Sequence, residues 1–189
     1  MTFSAVLLAG GESRRMGRDK ATIVFEDRLL WERQLRILRD LDPEEIFVSA
    51  RDSPAWLPSD AKLLLDEPPS RGPLSGLTKA LSAIRTSHLI VLAVDMPFMT
   101  IEQIRSLLGR VLPESGIVPI VNGRAEPLAA IYPRSAASAF TAAITGNDFS
   151  LQPIVEHLVR TNKVQLVQVS AKERDLYRSV NEPADLEHA

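Results

Sequence analysis

Short apolar runs alternate with amphipathic stretches along most of the chain. Phe3–Leu8, Ile46–Ala50, Lys62–Leu65 and Leu89–Val94 are of strand length, and the last reads LIVLAV without a polar interruption. Runs apolar at nearly every position suit strands buried on both faces, as in a parallel sheet covered by helices. Further strands are predicted at Ile117–Val121, Leu128–Tyr132 and Val164–Val169. Between the strands the apolar period lengthens. Trp31, Leu35 and Leu38 fall on one helical face, and so do Ile101, Ile104, Leu107, Leu108 and Val111. Thr100 and Gln103 form a capping box at the start of this second helix. Leu151, Ile154, Val155 and Leu158 mark another, with Pro153 close enough to its first turn to be tolerated. The alternation predicts an α/β three-layer sandwich with a mostly parallel central sheet. With no repeat, low-complexity tract or long linker, the 189 residues are expected to form one domain spanning 1–189.

Composition narrows the chemistry. A hydrophobic fraction of 45% supplies a real core, and a net charge of −2 argues against a general nucleic-acid binder. The absence of cysteine removes disulfides, zinc–thiolate sites and cysteine nucleophiles. His88, His157 and His188 lie far apart in the sequence. His88 is expected to open a strand or to be exposed, and His157 to face solvent from a helix. Any metal would then be a hard ion held through oxygens, magnesium being the obvious one. No apolar run has the length or flanks of a signal peptide or a bilayer span, so a cytoplasmic protein with no membrane partner is expected.

In a parallel α/β sheet, ligands gather at the carboxyl ends of the strands near a topological switch point. After the first strand comes LLAGGESRRMGRDKA, Leu7 to Ala21, with glycines at 10, 11 and 17 and cations at 14, 15, 18 and 20. It is not a Walker A loop: five residues separate Gly11 from Gly17, and Arg18 and Asp19 precede Lys20. It also fails the G-x-G-x-x-G dinucleotide fingerprint. What remains is a glycine pair that lets backbone approach a ligand, an Arg15 that can fork onto phosphate oxygens and a Lys20 that acts as a mobile point charge. Such charge suits a triphosphate whose leaving portion grows negative. A solvated turn with surface arginines would explain the loop alone; its place after the first strand favours phosphate.

Asp95 stands just past the LIVLAV strand, where a carboxylate is costly without a cation or donors. Set against a cationic phosphate loop, it reads as a magnesium ligand rather than a turn residue. Asp66 ends a strand and could bind base, ribose or metal, or start the turn into Pro68 and Pro69. GPLSGL, Gly72 to Leu77, reads as a helix start brought close to something, either an anion or the sheet. Glu126 and Pro127 lie in a segment that a hairpin explains. Asn181 reads as a cap for a final helix with Pro183 early in it.

Together LAGGESRRMGRDKA (8–21), GPLSGL (72–77), VDMPF (94–98), GRAEPLAAIYP (123–133) and VNEPADL (180–186) resemble the molybdenum cofactor guanylyltransferases, the MobA-type nucleotidyltransferases. The resemblance spans nearly the whole chain and implies a Rossmann-like, GT-A-like nucleotidyltransferase fold. It implies transfer of GMP from GTP to the phosphate of molybdopterin cofactor, with pyrophosphate released, magnesium as cofactor and a protein delivering molybdenum-loaded molybdopterin as a possible partner. By position, Leu8, Ala9, Gly10 and Gly11 would contact the nucleotide through backbone, and Arg15 and Lys20 its phosphates. Asp66 would help bind nucleotide, Asp95 would hold metal and nucleotide, and Asn181 would be a second metal ligand. Arg15, Lys20 and Asp95 are thus the catalytic candidates, and Arg124, Glu126 and Pro127 the acceptor side. Ser49 departs from the pattern: relatives often carry an asparagine there, suited to reading a base, and serine has fewer donors and acceptors. Gly11 favours the guanylyl reading over cytidylyl relatives, which tend to show L-A-A-G. The alternatives are a nucleotidyltransferase using CTP on molybdopterin or an NTP on a sugar phosphate, and a GTP-binding sensor without transfer. A dinucleotide-cofactor domain is disfavoured by the failed fingerprint.

Overall fold

A computed structural model describes residues 1–10, 19–181 and 185. Its strands are β1 (Phe3–Leu8), β2 (Val24–Phe25), β3 (Arg28–Leu29), β4 (Ile46–Ala50), β5 (Ala61–Leu65), β6 (His88–Ala93), β7 (Gly116–Val121), β8 (Arg124–Ala125), β9 (Ala129–Pro133) and β10 (Val164–Gln168). The helices are α1 (Leu30–Arg39), α2 (Pro73–Ala83), α3 (Ile101–Leu108), α4 (Ala137–Ile144) and α5 (Leu151–Arg160). Among the described residues, no helix is long and apolar enough to cross a membrane.

The main sheet runs in the order β5-β4-β1-β6-β9-β7-β10, with β8 paired to β7. Neighbours are parallel except at β9, which runs against both β6 and β7, and at the short β8, which runs against β7. A parallel return needs a crossover of a dozen or more residues. The link from β7 to β9 is too short for one, because the chain turns at once through a hairpin at Asn122 and Gly123, both at positive φ (51° and 78°).

Side chains alternate across each strand, which sorts the core into two layers. Ala5 and Leu7 of β1 pack under α1 and α3 with Leu35, Leu38, Ile104 and Leu107. Val6 and Leu8 pack on the other face with Leu74, Leu77 and Leu81 of α2, Phe140 of α4, and Ile154 and Leu158 of α5. Each such side chain contributes roughly 1.5–3 kcal/mol when fully buried. The result is the three-layer sandwich the pattern predicts.

Two local differences from the sequence reading have physical reasons, while His88 takes the first of the two places expected of it. Only half of the capping box forms: Thr100 Oγ1 accepts from the Gln103 N–H at 3.3 Å, but the Gln103 amide donates instead to the buried Tyr177 hydroxyl at 2.9 Å. His88 opens β6 and is fully buried, its Nδ1 3.0 Å from Ser87 Oγ, and burial pushes its pKa down. The small antiparallel β2–β3 ribbon was not anticipated, because strands this short carry no periodicity.

Candidate active site

The order of strands reverses between β1 and β6, and their register sets Leu8 beside Ala93 and Ser49. The ends of β1, β4, β5 and β6 therefore open onto one edge, where the sequence places its candidate residues. The β1 and β6 ends are tied by the Val94 N–H to the Leu8 carbonyl at 3.0 Å, and those of β4 and β5 by the Asp66 N–H to the Ala50 carbonyl at 2.9 Å.

Lys20 begins a short 3₁₀ turn, Lys20–Thr22, whose cap Asp19 accepts from the Ala21 N–H at 3.0 Å. Its Nζ lies 3.0 Å from Asp95 Oδ2 and 2.8 Å from Asn181 Oδ1. Asn181 reaches this point because the Val180 N–H donates to the Asp95 carbonyl at 2.7 Å, laying the C-terminal segment across the end of β6. The residues that an Asn181 cap would serve, 182–184, lie outside the described residues, and its side-chain oxygen meets Lys20. That oxygen accepts from Lys20, while the Asn181 N–H donates to the Asp185 carboxylate at 2.7 Å.

Asp66 is 8% exposed and accepts hydroxyls from Ser49 at 3.3 Å and Ser70 at 3.0 Å. Burial raises its pKa, and the two hydroxyls work against that rise. Gly10 lies against this carboxylate: a Cβ there would stand 3.4 Å from Asp66 Oδ2, an ordinary contact distance. The N–H groups of Ala9 and Gly10 both donate to the Ser49 carbonyl, at 2.9 and 3.0 Å. What Leu8, Ala9 and Gly10 offer a ligand is close approach rather than unengaged donors. Gly11 and Arg15 lie outside the described residues.

Two clefts flank this centre. A cavity of about 270 Å³ is lined by Gly10, Ala50, Arg51, Asp52 and Trp56, with Asp19 at its side. Another, of about 380 Å³, gathers Arg124, Glu126 and Pro127 with Ser150, Leu151 and Gln152. Burial pushes the pKa of Glu126 up, and the negative charge of Asp95 adds to the effect. The Tyr132 hydroxyl donates to the Pro127 carbonyl at 3.0 Å, fixing that corner. The three acceptor-side candidates thus share one cleft, within electrostatic reach of Asp95.

Sequence reasoning missed Asp52 and Trp56. A tryptophan in the polar, proline-flanked stretch DSPAWLP was the available signal, since an aromatic in a loop needs something to cover it. Trp31 does so in part, its ring stacked on Trp56 at 5.0 Å and 14°.

A lysine facing a carboxylate and an amide, with a cleft on either side, thus stands at the strand-end edge of a doubly wound sheet, where such sheets bind their ligands. The family model for the MobA-like NTP transferase domain matches residues 5–164, and the chain belongs to that family of nucleotidyltransferases. It is 34% identical over 186 residues to a probable molybdenum cofactor guanylyltransferase of Opitutus terrae, covering 97% of this chain and 92% of that one. Its fold matches a molybdopterin-guanine dinucleotide biosynthesis protein A from Archaeoglobus fulgidus, with a TM-score of 0.79 at 24% identity over 98% of this chain and 95% of that chain. It also matches a 2-C-methyl-D-erythritol 4-phosphate cytidylyltransferase from Thermus thermophilus, with a TM-score of 0.69 at 19% identity over 97% and 95%.

Proposed function

We propose that this chain, acting in the cytoplasm as one nucleotidyltransferase domain over residues 1–189, transfers GMP from GTP to the phosphate of molybdopterin cofactor. Pyrophosphate leaves and a guanine dinucleotide forms. The observation that carries the reading is the meeting of Lys20, Asp95 and Asn181 at the β1–β6 edge, between the two clefts. A nucleotide in the Gly10–Trp56 cleft and an acceptor in the Arg124–Pro127 cleft would bring α-phosphorus and acceptor phosphate together there. The close relation to the Opitutus terrae protein supports the same substrates.

The site fits a magnesium ion. Asp95 Oδ2 and Asn181 Oδ1 both face a cation, the Lys20 ammonium standing at their common point. A carboxylate and an amide oxygen are hard donors of the kind magnesium takes, and Asp95 and Asn181 would hold it. Among the described residues no group of three or more His, Asp or Glu could hold a metal by itself, in keeping with an ion shared with substrate. Bound there, magnesium would neutralise charge on the phosphates.

The chemistry needs no protein nucleophile. An oxygen of the acceptor phosphate attacks the α-phosphorus in line, and the bond from that phosphorus to the bridging oxygen of pyrophosphate breaks. Lys20, with Arg15, would bind the phosphates and stabilise the charge on the departing pyrophosphate. Gly10 and Asp66 would hold the nucleoside, so that orientation supplies much of the rate. A protein that delivers molybdenum-loaded molybdopterin would bring the acceptor.

The test compares GTP, CTP, ATP and UTP in a pyrophosphate-release assay with molybdopterin as acceptor. GTP should be the preferred substrate, and Lys20→Ala or Asp95→Ala should abolish most turnover while leaving the fold intact. Preference for another nucleotide would refute the substrate, and normal turnover in either variant would refute the assigned roles.

A further inference from the structure

The fold is shared with a cytidylyltransferase, so individual residues at the strand ends and loops, and not the fold itself, must choose the base. Ser49, the expected position for base reading, is 2% exposed and donates to Asp66. It is also packed so tightly on α2 that a Cβ at Gly76 would fall 2.4 Å from its Oγ. Asp66 is 8% exposed, and each of its carboxylate oxygens already accepts one serine hydroxyl, which leaves lone pairs for a sugar hydroxyl but little open surface for a base. In the Gly10–Trp56 cleft two further carboxylates appear, Asp19 and Asp52. Asp19 accepts from the Ala21 N–H through one oxygen and from Trp56 Nε1 through the other, at 3.4 Å. Asp52 is exposed and makes no hydrogen bond or ion pair with another described residue.

We propose that the Asp52 carboxylate selects guanine in this cleft, with the Trp56 indole as the wall against which the base stacks; the proposal rests on the guanylyl reading above. An ionised carboxylate only accepts hydrogen bonds. Guanine presents two adjacent donors, N1–H and the 2-amino group, on one edge. Adenine N1 and cytosine N3 instead present lone pairs there, which a carboxylate repels. The single N3–H of uracil is flanked by carbonyls. Arg51, next in the chain and lining the same cleft, brings donors of the kind that guanine O6 and N7 accept. Trp56 is held on its face by Trp31 and at its edge by Asp19, so its ring is fixed before a base arrives. Stacking is tolerant of base identity. The two residues therefore divide the work: Trp56 gives affinity to any base, and Asp52 gives preference.

The test measures calorimetric binding of GTP, CTP, ATP and xanthosine triphosphate with magnesium and no acceptor. Wild-type protein should bind GTP most tightly. Asp52→Asn should weaken GTP by about 10- to 100-fold, the range for losing one hydrogen bond to a charged group, since the amide oxygen still accepts from N1–H. It should also tighten xanthosine triphosphate, because the new amide donates to the 2-carbonyl of xanthine. That gain cannot come from a misfolded variant. Trp56→Ala should weaken GTP and xanthosine triphosphate by a similar factor, about tenfold or more. Wild-type protein preferring GTP, with an Asp52→Asn variant that keeps that preference and gains nothing for xanthosine triphosphate, overturns this proposal alone. Wild-type protein with no preference for GTP overturns it together with the guanylyl reading.

Discussion

Gly76 is where α2 presses hardest on the strand ends that carry the site. A methyl group there would lie 2.4 Å from Ser49 Oγ, 3.1 Å from Ser49 Cβ and 3.0 Å from Leu8 Cδ2. Rotating the Ser49 hydroxyl away relieves the shortest contact but breaks its bond to Asp66. The Cβ contact remains in every rotamer, and both neighbours are buried. Overpacking of this kind costs roughly 1–3 kcal/mol. Alanine in mid-helix returns up to about 1 kcal/mol over glycine. Gly76→Ala is therefore expected to destabilise the protein by about 1 kcal/mol, read as a lower urea midpoint at unchanged slope. Nucleotide affinity should fall as well, since α2 can yield only by moving off β1 and β4 or by freeing Ser49 from Asp66. Adding Ser49→Gly removes both serine contacts, so the double-mutant cycle should show a favourable coupling of about 1 kcal/mol. A Gly76→Ala protein as stable as wild type with full GTP affinity, or strictly additive effects in the cycle, would refute the reasoning.

Two further predictions concern charge. The Glu126 carboxyl has its pKa raised, chiefly by burial and further by Asp95, so above its ordinary value of 4.5 the folded state holds more protons than the unfolded chain. Wild-type stability should then lose ground as pH rises through that window, whereas Glu126→Gln keeps an acceptor for the Leu128 N–H and does not titrate. The variant should gain on wild type from acid to neutral pH in urea titrations, and parallel curves would count against the raised pKa. Because Lys20 Nζ stands between Asp95 Oδ2 and Asn181 Oδ1, Lys20→Met should let Mn²⁺ bind those oxygens more tightly without nucleotide, by paramagnetic resonance, even as turnover is lost. Equal Mn²⁺ affinity in the two proteins would argue against a shared cation point.

The strands were legible because burial on both faces writes itself into consecutive residues. Phe3–Leu8 and Ile46–Ala50 have the bounds their apolar runs suggest, and β6 starts one residue before its run because the backbone of His88 is already paired with Phe3 and Pro133. α4 was not legible: in ASAFTAAI only Ser138 and Thr141 mark the polar side, among alanines that suit either face, and Phe140 is its one buried side chain. The reversed strand β9 follows from a short link that depends on the Asn122–Gly123 turn, which periodicity does not report. In the site, Asp95 declared itself as a carboxylate at the end of an apolar strand, a placement that demands a cation. The pairing of Asn181 with it rests on one backbone bond from Val180, which no local pattern encodes. The same division explains why Ser49 drew attention and Asp52 did not. A strand end is found by its pattern, whereas a loop side chain such as Asp52 becomes a candidate only once its neighbours are seen to be engaged. Chemistry common to a fold is therefore carried by positions the sheet fixes. The choice of base falls to a loop residue such as Asp52, which can change without disturbing the core.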